Sequence, residues 1–287
     1  MRVALTGHYG FDGQEQLLLD LTELTWCPPL SRVILDIRGL RSLSAPGAAW
    51  LCATADRADA IGTLVGAETL KQFVGASRRD AAAVSIVRRF TDQESVRVIA
   101  RDMADLLAAR TGGGREVRLS LRILFDEIAE NVIFHADAPF GGVFAVRHSR
   151  GTNEIEVGVA DTGIGIRASL MRNPTLSGPL TDSEAARAAL TPLVTGSPDR
   201  NGGFGLAVAH RLLDLNDGAL VLRSGKACLD SSRFEHASVR VSVPGTIVGL
   251  RIRTDRPLDI STTYALLETH FDERLRQRGL HDDAPAG

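Results

Sequence analysis

Hydrophobic residues recur at every third or fourth position in the middle of the chain. Within residues 117–136 they stand at Leu121, Leu124, Phe125, Ile128 and Val132. This spacing places them on one face of an α-helix and predicts a helix over 117–136. Glu127, Asn131 and His135 are spaced by four residues and form a polar stripe on a different face of that helix. Such a stripe is either an ordinary solvated surface or part of a site.

A strand and a second helix are predicted downstream. Residues 154–160 alternate between polar and apolar side chains, as in a half-buried β-strand, and lead directly into Asp161-Thr-Gly-Ile-Gly-Ile. Gly203 and Gly205 then open an apolar, periodic segment that predicts a helix as far as residue 215. The chemistry of the site is therefore expected at the ends of regular elements.

The first third of the chain alternates short strands with helices, which predicts a small α/β layer. The predicted elements are a strand at 32–37, a turn at 43–47, a helix at 48–58, a strand at 61–66 and a helix around 69–74. A boundary is predicted near 76–92. We therefore expect a first α/β domain at 1–90, a second at 91–255, and a C-terminal helix with a disordered tail at 256–287.

Composition and charge exclude several classes of protein. With 287 residues, 44% hydrophobic content and a net charge of −2, the chain is expected to be globular and not to bind nucleic acid. It has neither an apolar run long enough to span a bilayer nor a secretion signal, so we expect a cytoplasmic protein without a membrane partner. Cys27, Cys52 and Cys228 are odd in number and far apart, which disfavours a disulfide framework or a zinc site.

Two polar clusters carry candidate chemistry. On the predicted helix, the amide oxygen of Asn131 can bind a hard cation such as Mg²⁺, and Glu127 can orient or deprotonate a nucleophile. Asp161 can accept a hydrogen bond from an exocyclic amine such as that of adenine. Gly163 and Gly165 allow the backbone to turn close against a flat base. Taken alone, the second cluster is also compatible with an ordinary Asp-Thr-Gly turn.

A third cluster is suited to phosphate. Gly202, Gly203 and Gly205 precede or open a predicted helix, where unpaired N–H groups and the positive end of the helix dipole attract anions. The alternative is a flexible loop before a surface helix. Ser224-Gly225-Lys226-Ala227 superficially resembles a phosphate-binding loop, but the full Gly-x-x-x-x-Gly-Lys-Ser/Thr pattern is absent and Ala227 has no hydroxyl for magnesium.

Together and in this order, the clusters resemble the GHKL, or Bergerat-fold, family of ATPases over residues 93–255. The matching positions are Glu127 and Asn131 in its N box, Asp161, Gly163 and Gly165 in its first glycine box, Gly203, Phe204, Gly205 and Leu206 in its second, and Thr246, which opens a late strand. The resemblance implies that Glu127 is the catalytic residue, that Asn131 is a ligand of Mg²⁺, and that the remaining positions bind ATP.

The resemblance also implies an architecture. It is an α/β sandwich in which helices cover one side of a mixed sheet and ATP lies beneath a mobile lid. The lid is expected over about 167–201, where prolines and glycines oppose one continuous helix and a short helix fits at 182–190. Arg172, Arg187 and Arg200 are candidates to reach phosphate, although each is also an ordinary surface arginine.

Residues 32–74 resemble the STAS domain of anti-sigma antagonists and sulfate transporters. The position of that family's phosphoacceptor serine falls on Ala45, which Pro46 follows, and Ser44 is expected to start a helix. A phosphorylation switch in this unit is therefore not expected. A docking or scaffolding role remains, beside a purely structural one.

Two functions are compatible with these features. The compact ATPase resembles the anti-sigma-factor serine kinases, which implies transfer of the γ-phosphoryl group of ATP to a protein Ser/Thr or to water in a partner-switching system. The alternative is a binding switch, in which ATP closes the lid to recruit or release a partner with little turnover. The expected partner is a regulatory protein of sigma-factor or STAS type, and a homodimer is compatible with either function.

Overall fold

Two β-sheets and their helices make up the described part of this computed structural model. It describes residues 2–9, 11, 33–57, 61–65, 83–149, 152–176, 178–197, 203–232 and 235–277. The strands are β1 (Arg2–Tyr9), β2 (Val33–Leu43), β3 (Ile61–Val65), β4 (Ala83–Phe90), β5 (Gly142–Ser149), β6 (Glu154–Asp161), β7 (Ala219–Asp230) and β8 (Glu235–Arg253). The helices are α1 (Ala45–Arg57), α2 (Gln93–Thr111), α3 (Arg115–His135), α4 (Gly165–Leu170), α5 (Asp182–Ala189), α6 (Gly205–Leu215) and α7 (Ile260–Gln277). Among the described residues, no helix combines the length and apolar character needed to cross a bilayer.

The larger sheet has the strand order β4-β5-β6-β8-β7, which confirms the predicted α/β class. Its described pairings are all antiparallel, and not mixed as expected. The physical reason is the connectivity: short connections join β5 to β6 and β7 to β8, and a pair of helices returns the chain between β4 and β5. The pairing of β6 with β8 places Asp161 opposite Thr246, so two predicted site residues meet at one end of the sheet.

One face of this sheet packs against α2, α3, α6 and α7 in a continuous core. The apolar stripe predicted on α3 is buried there, with Leu121, Leu124 and Phe125 fully enclosed. The Phe125 ring meets Phe144 of β5 edge-on, with 5.2 Å between ring centroids. Burial of this stripe turns the polar face of α3 toward other neighbours, which include the site.

The helices of the larger unit pack on one face of the sheet, as expected, and α1 of the N-terminal unit covers the opposite face. Val143, Ala145 and Ala160 of the sheet share a core with α1 and β2, and this apolar surface would otherwise face water. At the start of α1, the Ala45 N–H donates to Oε2 of Glu156 on β6 over 3.2 Å. The N-terminal unit is thus packed on the larger sheet.

The N-terminal unit is a sheet of order β1-β2-β3 with parallel pairings. The helix predicted from residue 48 begins at Ala45, because Ser44 Oγ accepts the Gly47 N–H over 3.3 Å and Pro46 is tolerated in a first helical turn. The helix predicted around 69–74 lies outside the described residues. The larger sheet begins with β4, upstream of the boundary expected at residue 90.

Helix α7 joins the main core instead of lying apart from it. Leu258 and Ile260 are buried, and Ser120 of α3 fixes the start of the helix. The Ser120 hydroxyl accepts the Ile260 N–H over 3.1 Å and donates to the Leu258 carbonyl over 2.9 Å. Because of this packing, α7 can contribute a side chain to the site. The tail predicted to be disordered, 281–287, lies outside the described residues.

We expect Gly158→Ala to destabilise the protein by about 1–3 kcal/mol. A Cβ at Gly158 would lie 2.4 Å from Pro46 Cα and 2.6 Å from the Ala45 carbonyl carbon, and backbone atoms cannot move aside as a flexible side chain can. Denaturant unfolding measures the change. Gly114→Ala is the control, because a Cβ there meets nothing within 4 Å, and its expected cost is below about 1 kcal/mol. Equal losses in the two variants would contradict the close packing of α1 on β6.

Candidate functional site

A pocket lies between the helical layer, the end of β6 and the middle of β8, with about 700 Å³ of space including its open mouth. Thr246 was expected to open a strand, but it lies inside β8. From α3 and the strands it is lined by Ile128, Asn131, Val132, His135, Ala136, Val159, Asp161, Thr246 and Val248. The segment from α4 to α6 adds Gly165, Ile166, Ser169, Leu170, Ala189, Val194, Thr195, Gly196, Gly203, Gly205 and Leu206. Apolar walls with a few polar groups are typical of a small-molecule site.

Most of the predicted site residues line the pocket. Those that line it are Asn131, Asp161, Gly165, Gly203, Gly205, Leu206 and Thr246. Glu127, Gly163 and Phe204 are not among its lining residues. Gly163 lies against the end of α3, where a Cβ would come within 2.0 Å of the Ala136 carbonyl oxygen. Phe204 is partly buried and packs against the main core.

Asp161 is the buried acceptor of the pocket, with 3% of its surface exposed. Its Oδ1 accepts the Gly163 N–H over 2.8 Å. Burial raises the pKa of Asp161 to about 7, although hydrogen bonds from the backbone of Gly163 and Thr246 oppose the shift. A carboxyl held in this way at a strand end is suited to reading the donor groups of a bound base.

Gly165 allows the chain to turn from β6 into α4 directly above the sheet. Its φ of +77° lies in the left-handed region that favours glycine. A Cβ at this position would also come within 2.8 Å of Ser224 Oγ and 3.2 Å of the Gly245 carbonyl oxygen. The small residue is therefore required both by the turn and by the strands behind it.

Glu127 and Asn131 meet the start of α6 beside the pocket. A Cβ at Gly205 would lie 2.8 Å from Glu127 Oε2 and 3.3 Å from Asn131 Nδ2, so glycine permits this close approach. Glu127 Oε1 accepts a hydrogen bond from the Tyr264 hydroxyl over 3.3 Å. Burial raises the pKa of Glu127, while that hydrogen bond opposes the shift. Burial and the charge of Glu127 raise the pKa of Tyr264 to about 12.

Asn131 fits the role of a cation ligand. Its Nδ2 donates to the Glu127 carbonyl over 2.8 Å, which leaves the amide oxygen as the end that can coordinate a cation in the pocket. Within the described residues, no cluster of three or more His, Cys, Asp or Glu side chains could hold a metal by itself. A Mg²⁺ here would therefore take most of its ligands from phosphate oxygens and water, as that ion commonly does.

The N-terminus of α6 forms the other end of the pocket. Gly203 has a φ of +70°, and Gly205 begins the helix with no side-chain hydrogen bond capping it. The first N–H groups of such a helix and the positive end of its dipole attract anions. Asn201 and Gly202 of the same cluster lie outside the described residues.

The segment predicted to be a lid forms one wall of the pocket. Helix α5 lies where a short helix was predicted, and Thr181 and Glu184 cap it reciprocally. Of the candidate arginines, Arg172 forms an ion pair with Asp137 at 2.5 Å and Arg187 is exposed on α5, so neither lines the pocket. Arg200 lies outside the described residues.

Several lining residues carry no signal in the sequence. Ser169, Val194, Thr195 and Gly196 follow no periodic pattern, and the fold alone brings them to the pocket. Thr195 is held in place because its carbonyl accepts the Asn173 side-chain N–H over 2.7 Å. The contact of Tyr264 with Glu127 also carries no signal in the sequence, because the two residues are 137 positions apart.

The segment that superficially resembles a phosphate loop has a structural role. Ser224, Gly225 and Lys226 lie within β7, where the register with β8 shifts. The Lys226 N–H donates to Oδ2 of Asp182 over 2.8 Å, so this irregularity anchors the start of α5. Its lysine side chain is exposed and does not line the pocket.

A polar helix stripe, a strand-end aspartate and a glycine-opened helix thus surround one pocket, in that chain order. Residues 91–218 match the family model of the histidine kinase-like ATPase domain. The match supports a GHKL-type ATPase domain, which implies ATP binding, usually with Mg²⁺. No curated protein matches the chain. Thr246 lies beyond the matched residues, and the pairing of β6 with β8 brings it to the pocket.

The raised pKa of Asp161 predicts that the stability of the nucleotide-free protein depends on pH. Because the folded pKa of about 7 exceeds the unfolded value of 3.8, the folded state holds the proton more tightly. This contribution to stability is complete below pH 3.8 and is lost as the pH rises through 7. We expect the free energy of unfolding of the wild type, relative to Asp161→Asn, to fall by about 2–3 kcal/mol between pH 5 and pH 8. Denaturant unfolding at each pH measures it, and a constant difference would show that Asp161 is already ionised at pH 5.

Proposed function

We propose that the protein is an ATP-dependent regulatory enzyme that transfers the γ-phosphoryl group to a serine or threonine of a protein partner, or to water. The observation that carries the proposal is the meeting of Glu127, Asn131 and Gly205 beside the Asp161 pocket. A carboxylate can activate a nucleophile, a carboxamide oxygen can bind a cation, and a helix N-terminus can bind a triphosphate.

Each group has a defined task in this proposal. Asp161 and Thr246 would hold adenine where the end of β6 pairs with β8, and the N–H groups at the start of α6 would hold phosphate. Asn131 would hold Mg²⁺, which offsets charge on the transferred phosphoryl group. Glu127 would orient the attacking hydroxyl or water and accept its proton, a role that the raised pKa of this carboxyl suits.

The partner is proposed to be a regulatory protein of sigma-factor or STAS type in a partner-switching system, and a homodimer is compatible with this. The N-terminal unit is proposed to be STAS-like, which its parallel sheet and the helix after Ser44 support. It would act as a docking unit and not as a phosphoacceptor. Ser44 is 1% exposed and caps α1, and α1 lies on the face of the larger sheet opposite the pocket.

A second candidate function is a nucleotide-gated binding switch. The observation that favours it is the position of Glu127, which is hydrogen-bonded to Tyr264 and is not among the lining residues of the pocket. If Glu127 keeps this bond when ATP is bound, ATP would order the segment 167–197 over the pocket with little turnover. The surface so formed would recruit or release the partner.

Purified protein with γ-labelled Mg-ATP separates these functions, with and without sigma-factor-type and STAS-type proteins as candidate partners. Labelled protein or labelled free phosphate supports phosphoryl transfer. Retention of intact nucleotide without product supports the binding switch. Failure to bind ATP at all would overturn both proposals.

A further inference from the structure

Ser224 is a buried hydroxyl directly behind the base-reading end of the pocket. It is 4% exposed and lies on β7, where it pairs with Thr246 of β8. Its Oγ accepts the Ile166 N–H over 2.9 Å and donates to the Gly245 carbonyl over 2.9 Å. It thus joins the first turn of α4 to the irregularity in β8 at Gly245, although it does not itself line the pocket.

The hydrogen-bonding capacity of these groups determines which way the Thr246 hydroxyl points. A serine hydroxyl has one hydrogen and two acceptor positions. The Gly245 carbonyl can only accept, so the Ser224 hydrogen is directed toward it. The Thr246 hydroxyl lies 3.5 Å from Ser224 Oγ, a weak contact in which Thr246 must therefore be the donor.

This orientation has a consequence for the pocket, which Thr246 lines. With its hydrogen turned back toward Ser224, the Thr246 oxygen presents lone pairs to a bound base or a bridging water. Asp161 adds a second acceptor beside it, because a carboxylate has about four lone-pair sites and backbone N–H groups of Gly163 and Thr246 occupy only two of them. Two adjacent acceptors match an exocyclic amine, which donates, and they oppose a carbonyl oxygen, which also accepts.

We infer that Ser224 is a positioning residue that makes the pocket selective for adenine over guanine by holding the Thr246 hydroxyl as an acceptor. Adenine carries an amine at the ring position where guanine carries a carbonyl oxygen. A buried acceptor that binds the amine of adenine has no donor to bind when the carbonyl oxygen of guanine takes the same position, and the unpaired acceptor disfavours guanine. The inference rests on the proposed function, because it assigns a specificity to the same nucleotide site.

The test compares the affinities of the wild type and Ser224→Ala for the non-hydrolysable imido analogues of ATP and GTP by calorimetry. Without the serine oxygen, the Thr246 hydrogen can turn toward the pocket and donate to guanine. We expect the ratio of ATP-analogue to GTP-analogue affinity to fall by roughly three- to tenfold, since a net hydrogen bond contributes on that scale.

Ser120→Ala is the matched control. The Ser120 hydroxyl is also buried, also accepts a backbone N–H at a helix start and also donates to a backbone carbonyl, but it lies outside the pocket. The melting temperature should fall by a similar amount in both alanine variants. Only Ser224→Ala should change the affinity ratio, and an equal change in the two would show that Ser224 acts merely on stability.

Thr246→Val provides a second test that does not depend on the folding of Ser224→Ala. It removes the hydroxyl that Ser224 is inferred to orient, and we expect a similar fall in the affinity ratio. An unchanged ratio in Thr246→Val, or in a folded Ser224→Ala, would overturn the inference while ATP binding by the wild type still supported the proposed function. A wild type that binds neither analogue would overturn the proposed function itself.

Discussion

Glu127→Gln is expected to reduce phosphoryl transfer or hydrolysis by about 10²–10⁴-fold, the usual contribution of a positioned general base. The amide keeps the size of the side chain and can still accept a hydrogen bond from the Tyr264 hydroxyl. It cannot take a proton from the attacking hydroxyl or water. Because Glu127 is not among the lining residues of the pocket, ATP affinity should stay within about threefold of the wild type.

Single-turnover release of labelled phosphate measures the loss, and calorimetry measures ATP binding. Glu130→Gln is the matched control, because Glu130 lies on the same helix, does not line the pocket and bonds to the Gln93 side chain over 3.2 Å. Its turnover should remain near that of the wild type. Loss of ATP binding in Glu127→Gln, or unchanged turnover, would remove Glu127 from its proposed role. A wild type that binds ATP without turnover would favour the binding switch.

Asp161→Asn is expected to weaken ATP binding by about a hundredfold, which corresponds to about 2.7 kcal/mol. The wild-type carboxyl is 3% exposed, so water cannot replace the hydrogen bond that it offers to an exocyclic amine. If the asparagine oxygen keeps the Gly163 N–H, its amide nitrogen takes the position of the second carboxylate oxygen. That nitrogen donates, and it would face another donor on adenine.

Calorimetric titration with an ATP analogue measures this loss, and circular dichroism shows whether the variant is folded. Asp126→Asn is the control, because burial also raises the pKa of Asp126, to about 6, yet this residue does not line the pocket. Its affinity should equal that of the wild type. An Asp161→Asn protein that binds ATP normally would place the base elsewhere in the pocket.

The polar stripe on α3 shows what a local sequence pattern can and cannot predict. The three- and four-residue recurrence of apolar side chains predicted a helix at 117–136, and α3 spans Arg115–His135. The prediction succeeded because helical hydrogen bonds and one-sided burial both follow from that spacing. The same pattern could not decide whether Glu127 lines the pocket. That depends on Tyr264, which reaches Glu127 from a helix 137 residues further along the chain.

The N-terminal unit illustrates the opposite case. Its strands and its first helix were predicted from short apolar runs, but the sequence did not predict that they pack on the larger sheet. The alternation over 154–160 did not show that α1 approaches β6 at Gly158 and Glu156. Nor did the pattern at 224–227 show that Ser224 is an internal strand residue bonded to two other segments.

Local sequence patterns were enough to predict the α/β class, the helix that carries Glu127 and Asn131, the strand that ends at Asp161, and the glycines that open α6. These features depend on near neighbours: side-chain periodicity, helix termini and turn residues act over a few positions. The antiparallel pairing of the sheet, the coverage of its second face by α1 and the apolar walls of the pocket could be seen only in the folded molecule. Those features depend on contacts between segments distant in sequence, such as the one between Ala45 and Glu156, 111 residues apart. No local pattern encodes such contacts, because they form where burial of the whole core places them.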